Sequence, residues 1–174
     1  LGDAPLVTSS GRQFPVTLRY GAPHQLRDSI IGPAINTVLQ ALREQTGSIL
    51  VFLPGQGEIN AVARGLAEAL KDSGEKSVQI APLYGGLGLE RQQQAILPAP
   101  AGMRKIVLST NLAETSLTIE GITVVVDSGL VREAVFDPAT GMNRLTTRRI
   151  SRASAEQRQG RAGRQAPGWC YRLW

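Results

Sequence analysis

The chain has 174 residues, a formal net charge of +5, and a composition that is 42% hydrophobic and 19% charged. That length suits one domain with a core of its own, and a single cysteine excludes a disulfide framework. No apolar run approaches the roughly 20 residues that cross a bilayer, and the opening LGDAPLVTSSGRQF lacks the basic-then-apolar layout of a signal peptide, so no membrane partner and a cytoplasmic location are expected.

Gly, Pro and Ser interrupt every apolar pattern in residues 1–15, which read as a linker, with the domain proper over 16–174. Val16-Thr17-Leu18-Arg19-Tyr20 alternates as a short strand, and a turn follows through Gly21, Pro23 and His24. A helix is predicted from about Pro33 to Gln45, with Pro33 in its first turn, Gly47 closing it and Ile35, Val38, Leu39 and Leu42 as its apolar stripe. Ser48 to Leu53 is a continuous apolar run, the pattern of a strand buried on both faces, stopped by Pro54-Gly55. A helix from about Glu58 to Lys71 and a strand from Val78 to Leu83, ending at Tyr84-Gly85-Gly86, come next. Further on lie a short helix near Leu89 to Ile96, a strand at Ile106-Val107-Leu108 ending at Ser109-Thr110-Asn111, and a strand at Val124-Val125-Val126 ending at Asp127-Ser128-Gly129. Leu130 to Phe136 and Arg144 to Ile150 flank Asp137-Pro138-Ala139-Thr140-Gly141 as a hairpin, and Trp169 to Trp174 is a last strand. Cys170 and His24 read as structural, because one of each makes no metal site.

Strands alternating with helices predict an α/β fold: a mostly parallel sheet with helices on both faces. In such folds ligands bind at the carboxyl ends of the strands. The ends at Gly55, at Gly85 and Gly86, and at Thr110 and Asn111 carry small residues and hydroxyls that let an anion approach, although glycine after a strand is also common without any ligand.

The basic charge is mostly arginine, 16 Arg against 3 Lys, and nine of those Arg fall between Arg132 and the C-terminus with only Glu133, Asp137 and Glu156 against them. Such asymmetry points to a polyphosphate partner, nucleotide or nucleic acid; a solvated basic surface is the alternative. The densest segment is QRQGRAGR, Gln157 to Arg164. On a continuous helix Gln157, Arg161 and Arg164 share one face at i, i+4 and i+7. Two flat, permanently charged guanidiniums and an amide there would grip phosphate oxygens, and Gly160, Ala162 and Gly163 add no bulk between them. The plainer reading is a capping box, with Ser154 as N-cap and Gln157 reaching back, and the arginines as a solvated face.

STNLAETSLTIEG, residues 109–121, sets five hydroxyls, an amide and two carboxylates just past a buried strand. Helix capping by Asn111, with Glu114 at the third position, accounts for two of them. Thr110, Thr115, Ser116 and Thr118 remain, and short hydroxyls suit phosphate, ribose or an ordered water. A complete phosphate-transfer site is missing. There is no G-x-x-x-x-G-K-[ST], and the nearest approach, Ser73-Gly74-Glu75-Lys76-Ser77, precedes a strand instead of following one. The chain therefore supplies at most half of an ATPase: arginines without the phosphate loop.

QRQGRAGR resembles motif VI of the DEAH-box RNA helicases of superfamily 2, STNLAETSLTIEGI resembles their motif V, and ILVFLPGQGEI resembles their motif IV. LYGGLGLERQQQAILPAPAGMRKIVLST is similar to the segment joining IV to V, with wording nearest the bacterial HrpB-type branch. The resemblance implies a second RecA-like domain with a hairpin between motifs V and VI. It also implies a first RecA-like domain before it, carrying the phosphate loop and most of the hold on Mg²⁺, and winged-helix and ratchet domains after it. It further implies an ATP-driven 3′-to-5′ translocase on single-stranded RNA. By position, Arg161 and Arg164 match the fingers on the γ-phosphate, Gln157 the glutamine beside the attacking water, and Ser116 a hydroxyl that senses the nucleotide. Thr118 and Glu120 fall at the ribose contacts, Thr110 and Asn111 at the RNA backbone, and Gly55, Gly85 and Gly86 where the backbone comes close to RNA. Leu97 stands where many members stack a Phe on the adenine. Gln159 replaces a usual small residue and is expected to matter little. A non-enzymatic RNA-binding module and half of a DNA-directed helicase are the alternatives.

Overall fold

Six strands assemble into one parallel sheet. In the computed structural model, which describes residues 14–114, 117–138 and 140–174, these are β1 (Val16–Tyr20), β2 (Ser48–Phe52), β3 (Val78–Leu83), β4 (Arg104–Ser109), β5 (Ile122–Asp127) and β8 (Gly168–Arg172). Between β5 and β8 an antiparallel pair, β6 (Leu130–Asp137) and β7 (Met142–Arg149), stands apart as the predicted hairpin. The sheet order is β1-β8-β5-β2-β4-β3. Every residue of β2 is buried, which places the SILVF run at the centre of the sheet. β3 lies at an edge, where Pro82 costs no ladder hydrogen bond on its open side.

Four helices cover the sheet: α1 (Ile31–Glu44), α2 (Gln56–Asp72), α3 (Leu89–Ile96) and α4 (Arg152–Gly160). The apolar stripes of α1 and α2 (Ala34, Val38, Ala41; Ile59, Val62, Leu66, Leu70) close one face over Ile49, Val51, Ile106, Leu108, Val124 and Val126. The opposite face, with Leu50, Phe52, Val107 and Val125, is covered by Ala95 of α3, by Ala113 and Ile119 of the β4–β5 connection, and by Ala162 after α4. That second cover is where α4 and the β4–β5 connection lie.

β4 and β5 flank β2 on opposite sides. Both strands run the same way, so the chain leaves the carboxyl edge of the sheet at Thr110 and returns at the amino edge by Gly121, with Ala113 and Ile119 packed on the α3/α4 face between. The crossing ends where Ser48 donates its amide to Gly121 at 3.0 Å. A six-residue strand spans roughly 20 Å. Thr110 and Glu120 therefore stand near opposite edges of the sheet rather than in one strand-end cluster. Residues 1–13 of the expected linker lie outside the described residues; Phe14 and Pro15 are tied in through Phe14 N to Gly163 O (2.9 Å) and Gly168 N to Pro15 O (3.0 Å). Among the described residues no helix is long and apolar enough to cross a membrane.

Candidate functional site

At the carboxyl edge, Leu83, Ser109, Phe52, Asp127 and Arg172 pair in a single row across five strands. Thr110 follows β4 with an extended backbone (φ −78°, ψ −167°) and is the N-cap of a 3₁₀ turn, Asn111–Ala113. Asn111, expected as the cap, is already inside that turn and is exposed. Gly85 and Gly86 are exposed. Gly55 is different: it is buried, and a Cβ there would meet Arg132 Nη1 at 2.4 Å. The close approach at Gly55 is thus made by a side chain of the hairpin. Arg132 on β6 reaches over it to pair with Glu58 at 2.9 Å, in the first turn of α2.

The arginine octet departs from the predicted continuous helix. Helix α4 is capped by Ser151, whose Oγ accepts from Ser154 N at 3.1 Å, and not by Ser154. Ser151 has the extended backbone that a cap needs; Ser154 lies within the helix, and its hydroxyl donates to Glu114 Oε1 at 2.5 Å. The helix then stops at Gly160, as expected of a Gly-x-x-Gly sequence with weak helix propensity. Gln157, Arg161 and Arg164 therefore do not form one helical stripe. Gln157 is exposed on the helix. Arg161, at the C-cap, turns inward and is 6% exposed, while Arg164 points outward. Gly163 admits the chain's own N-terminal strand, since a Cβ would meet the Phe14 carbonyl at 2.5 Å.

Arg161 donates through Nη1 to the Leu117 carbonyl and through Nη2 to the Glu114 carbonyl. Burial, then the neighbouring Arg164, pulls its pKa down to about 10 against the attraction of Glu114. It stays cationic at neutral pH, and an arriving anion would relieve both effects. Arg164 Nη1 donates to Thr118 Oγ1 at 2.9 Å. Thr118 and Glu120 are exposed on the same crossing segment. Ser116 lies outside the described residues; in sequence it falls between the two carbonyls that Arg161 holds. The crevice lined by Ala113, Leu117, Ile119, Arg161 and Arg164 has a volume of about 10 Å³, so it admits a water at most. Among the described residues this crevice is too small to enclose a nucleotide. Leu97, the C-cap of α3 on the same face of the sheet, is 59% exposed.

Three basic residues that the sequence reading passed over organise the site. Arg158, the largest fully buried side chain, pairs with Glu114 at 3.0 Å and with Asp127 at 2.9 Å. Arg132 carries the hairpin's link to α2. Lys105, buried on β4, donates to the Gln94 and Leu97 carbonyls at 2.9 and 2.6 Å and so closes the C-terminus of α3. The signal for Arg158 was present: Asp127 ends a buried VVVD strand and needs a counter-charge from somewhere. Gln159, for its part, accepts from Arg172 Nη2 at 3.1 Å. The structural readings of the lone histidine and cysteine match their surroundings. His24 Nδ1 donates to the Leu173 carbonyl at 2.8 Å, and Cys170 is buried, its thiol pushed up to about 12 by burial and by the charge of Asp127. Among the described residues no group of three or more His, Cys, Asp and Glu gathers to hold a metal ion.

The sequence profile of the family described as helicase conserved C-terminal domain matches residues 33–166. The chain is similar to the ATP-dependent RNA helicase HrpB of Escherichia coli (strain K12), with 52% identity over 97% of this chain and 20% of that protein. It is also similar to the pre-mRNA-splicing factor ATP-dependent RNA helicase prp22 of Schizosaccharomyces pombe, with 46% identity over 98% of this chain and 15% of that protein. A crystal structure of the E. coli DExH-box NTPase HrpB superposes with a TM-score of 0.86 at 50% identity, covering 98% of this chain and 20% of that one. A crystal structure of the Escherichia coli DEAH/RHA helicase HrpB gives a TM-score of 0.87, also at 50% identity, over 99% of this chain and 22% of that one. The chain thus spans about a fifth of the length of these relatives.

Proposed function

This chain belongs to the helicase conserved C-terminal domain family, as a RecA-like domain of the DEAH-box type, and from that premise we propose that it is the second motor domain of an ATP-dependent RNA helicase. In this reading residues 16–174 form one wall of a nucleotide cleft whose other wall is a first RecA-like domain, and further domains of the same longer protein follow. Arg161 and Arg164 close onto the γ-phosphate, and Gln157 orients the attacking water. Thr118 and Glu120 face the nucleotide along the crossing segment, Ser116 is assigned by its place in motif V to sensing it, and Leu97 packs against the base. Leucine offers contact area but no aromatic face, so discrimination between bases is loose.

One observation carries this reading: Arg161 and Arg164 converge on the motif V segment, on the carbonyls of Glu114 and Leu117 and on the Thr118 hydroxyl, at a surface too shallow to enclose a ligand alone. Arginines preset in that way stabilise charge developing on a phosphoryl group and contribute on the order of 10³–10⁵ in rate. The chemistry Mg²⁺ supplies, neutralising the phosphate oxygens, is assigned to the other wall. Single-stranded RNA runs along the carboxyl edge, past Thr110, Asn111, Gly85 and Gly86, with Gly55 beneath Arg132 at the hairpin's base. Contacts there are to phosphate and sugar and read no sequence. Hydrolysis removes the charge that Arg161 and Arg164 hold, so the walls part and the strand advances 3′ to 5′.

The test is Arg161→Ala and Arg164→Ala in the full-length protein. Each variant is expected to lose ATP turnover by at least about a thousandfold while its RNA dissociation constant stays within about threefold of wild type. Ordinary turnover in either variant removes the finger assignment.

A further inference from the structure

Arg158 lies three residues before Arg161, yet its guanidinium faces the interior and is 1% exposed. Each of its contacts reaches a different segment. Nε donates to Glu114 Oε2 at 3.0 Å, in the turn after β4. Nη1 donates to Asp127 Oδ1 at 2.9 Å, at the end of β5, and to the Leu130 carbonyl at 3.2 Å, on the first residue of the hairpin. The guanidinium carbon lies 4.8 Å from the centre of the Phe52 ring, at the end of β2. Glu114 is itself shared. Its second carboxylate oxygen accepts from Ser154 of α4, and its main-chain carbonyl is one of the two that hold Arg161.

A buried cation flanked by two carboxylates is a poor way to add stability, because apolar side chains of similar volume do as well or better. What a planar, forked guanidinium does supply is fixed geometry in several directions at once. Here it fixes the turn that begins at Thr110 and ends at Glu114, whose carbonyl holds Arg161, and the root of the hairpin at Leu130.

We infer that Arg158 is a positioning residue that joins the phosphate-facing Arg161 to the RNA-facing Thr110 turn and hairpin, so that RNA stimulation of hydrolysis passes through the Arg158–Glu114–Leu130 contacts. The inference rests on the reading given under Proposed function. Bound RNA presses on the Thr110 turn and the hairpin. Through Glu114 and Leu130 that pressure meets Arg158, and through the Glu114 carbonyl it sets Arg161.

The experiment uses the full-length protein, with ATP turnover measured on each sample with and without saturating polyuridylic RNA. The ratio of the two rates does not depend on how much of the sample is folded, so a purely structural loss leaves it unchanged. Arg158→Gln and Glu114→Gln are each expected to lower the ratio at least about fivefold, the lower end of ordinary coupling between sites. Arg158→Lys, which keeps the charge but not the fork, is expected to restore less than half of it. A smaller fall, or equal loss of both rates, overturns the inference. If Arg158→Gln fails to fold, Glu114→Gln decides alone, since it is isosteric and leaves Arg158 paired with Asp127. Wild-type turnover that RNA does not stimulate overturns the RNA-motor reading itself, and this inference with it.

Discussion

Arg158 and Arg161 belong to one octet, QRQGRAGR, and their guanidiniums do different work because the helix ends between them. Arg158 is still on α4 and points into the domain, onto Glu114 and Asp127. Arg161, beyond Gly160, bends back onto the main chain of the crossing segment. Asp127 is the least comfortable member of this group. Burial pushes its carboxyl up against the pull of Arg158 and the Gly129 amide, and among the described residues Oδ2 has no hydrogen-bond partner. Its near neighbour Cys170 carries a residue-scale prediction. The thiolate is the reactive form, and a thiol held near 12 is almost wholly protonated at pH 8. Cys170 is therefore expected to resist alkylation at pH 8 in the folded protein and to react within minutes in denaturant, as followed by mass spectrometry. Fast labelling of the native protein would mean that the strand opens locally.

At the scale of elements, two adjacent residues of β4 finish two helices on opposite faces of the sheet. Successive side chains on a strand point to opposite sides. Arg104 donates to the carbonyls of Leu42, in the last turn of α1, and of Gly47 beyond it, at 2.7 and 2.8 Å, and Lys105 donates to those of Gln94, in the last turn of α3, and of Leu97 just past it. Helix C-termini leave carbonyls without partners and favour cations, so one RK dipeptide satisfies both ends. Lys105→Met is expected to lower stability by about 1–3 kcal/mol, because two carbonyls at the end of α3 lose a charged donor. The exposed Lys76→Met is expected to change stability by less than about 0.5 kcal/mol. Urea unfolding of the two variants side by side measures the difference, and equal midpoints would show that water replaces Lys105.

For the whole molecule, the order β1-β8-β5-β2-β4-β3 sends residues 110–121 across one face of the sheet. This crossing separates a strand-edge surface with exposed Asn111, Gly85 and Gly86 from a facial surface with Thr118 and Arg164. Between them lie the crossing segment and the buried Arg158, which pairs with Glu114 and Asp127. Among the described residues, the crevice beside Arg161 and Arg164 is too small to enclose a nucleotide. The 174-residue chain alone is accordingly expected to show no ATP hydrolysis above background, with or without RNA. Measurable turnover by the pure chain, abolished by Arg161→Ala, would mean that one domain holds a complete site.

Runs such as SILVF and ITVVVD declare their burial by composition, and the hairpin by its Asp-Pro-x-Thr-Gly turn, so strand positions and the parallel class could be read residue by residue. The same holds for the motif segments and the missing phosphate loop, which are local strings. The helical stripe Gln157/Arg161/Arg164 failed because periodicity assumes that a helix continues, and Gly160 ends this one. The capping roles given to Ser154 and Asn111 moved to Ser151 and Thr110, since a cap is chosen by backbone conformation, which neighbouring strands impose. Arg158 went unnoticed for a different reason. Its partners lie 44 and 31 positions away, and only the packing of β5 beside β2, with α4 laid over them, brings one guanidinium within hydrogen-bonding distance of Glu114 and Asp127 together. Local pattern determined which elements form and where the arginine-rich and hydroxyl-rich segments fall; long-range contact alone decided which arginine bends onto the main chain of the crossing segment and which one is buried between Glu114 and Asp127.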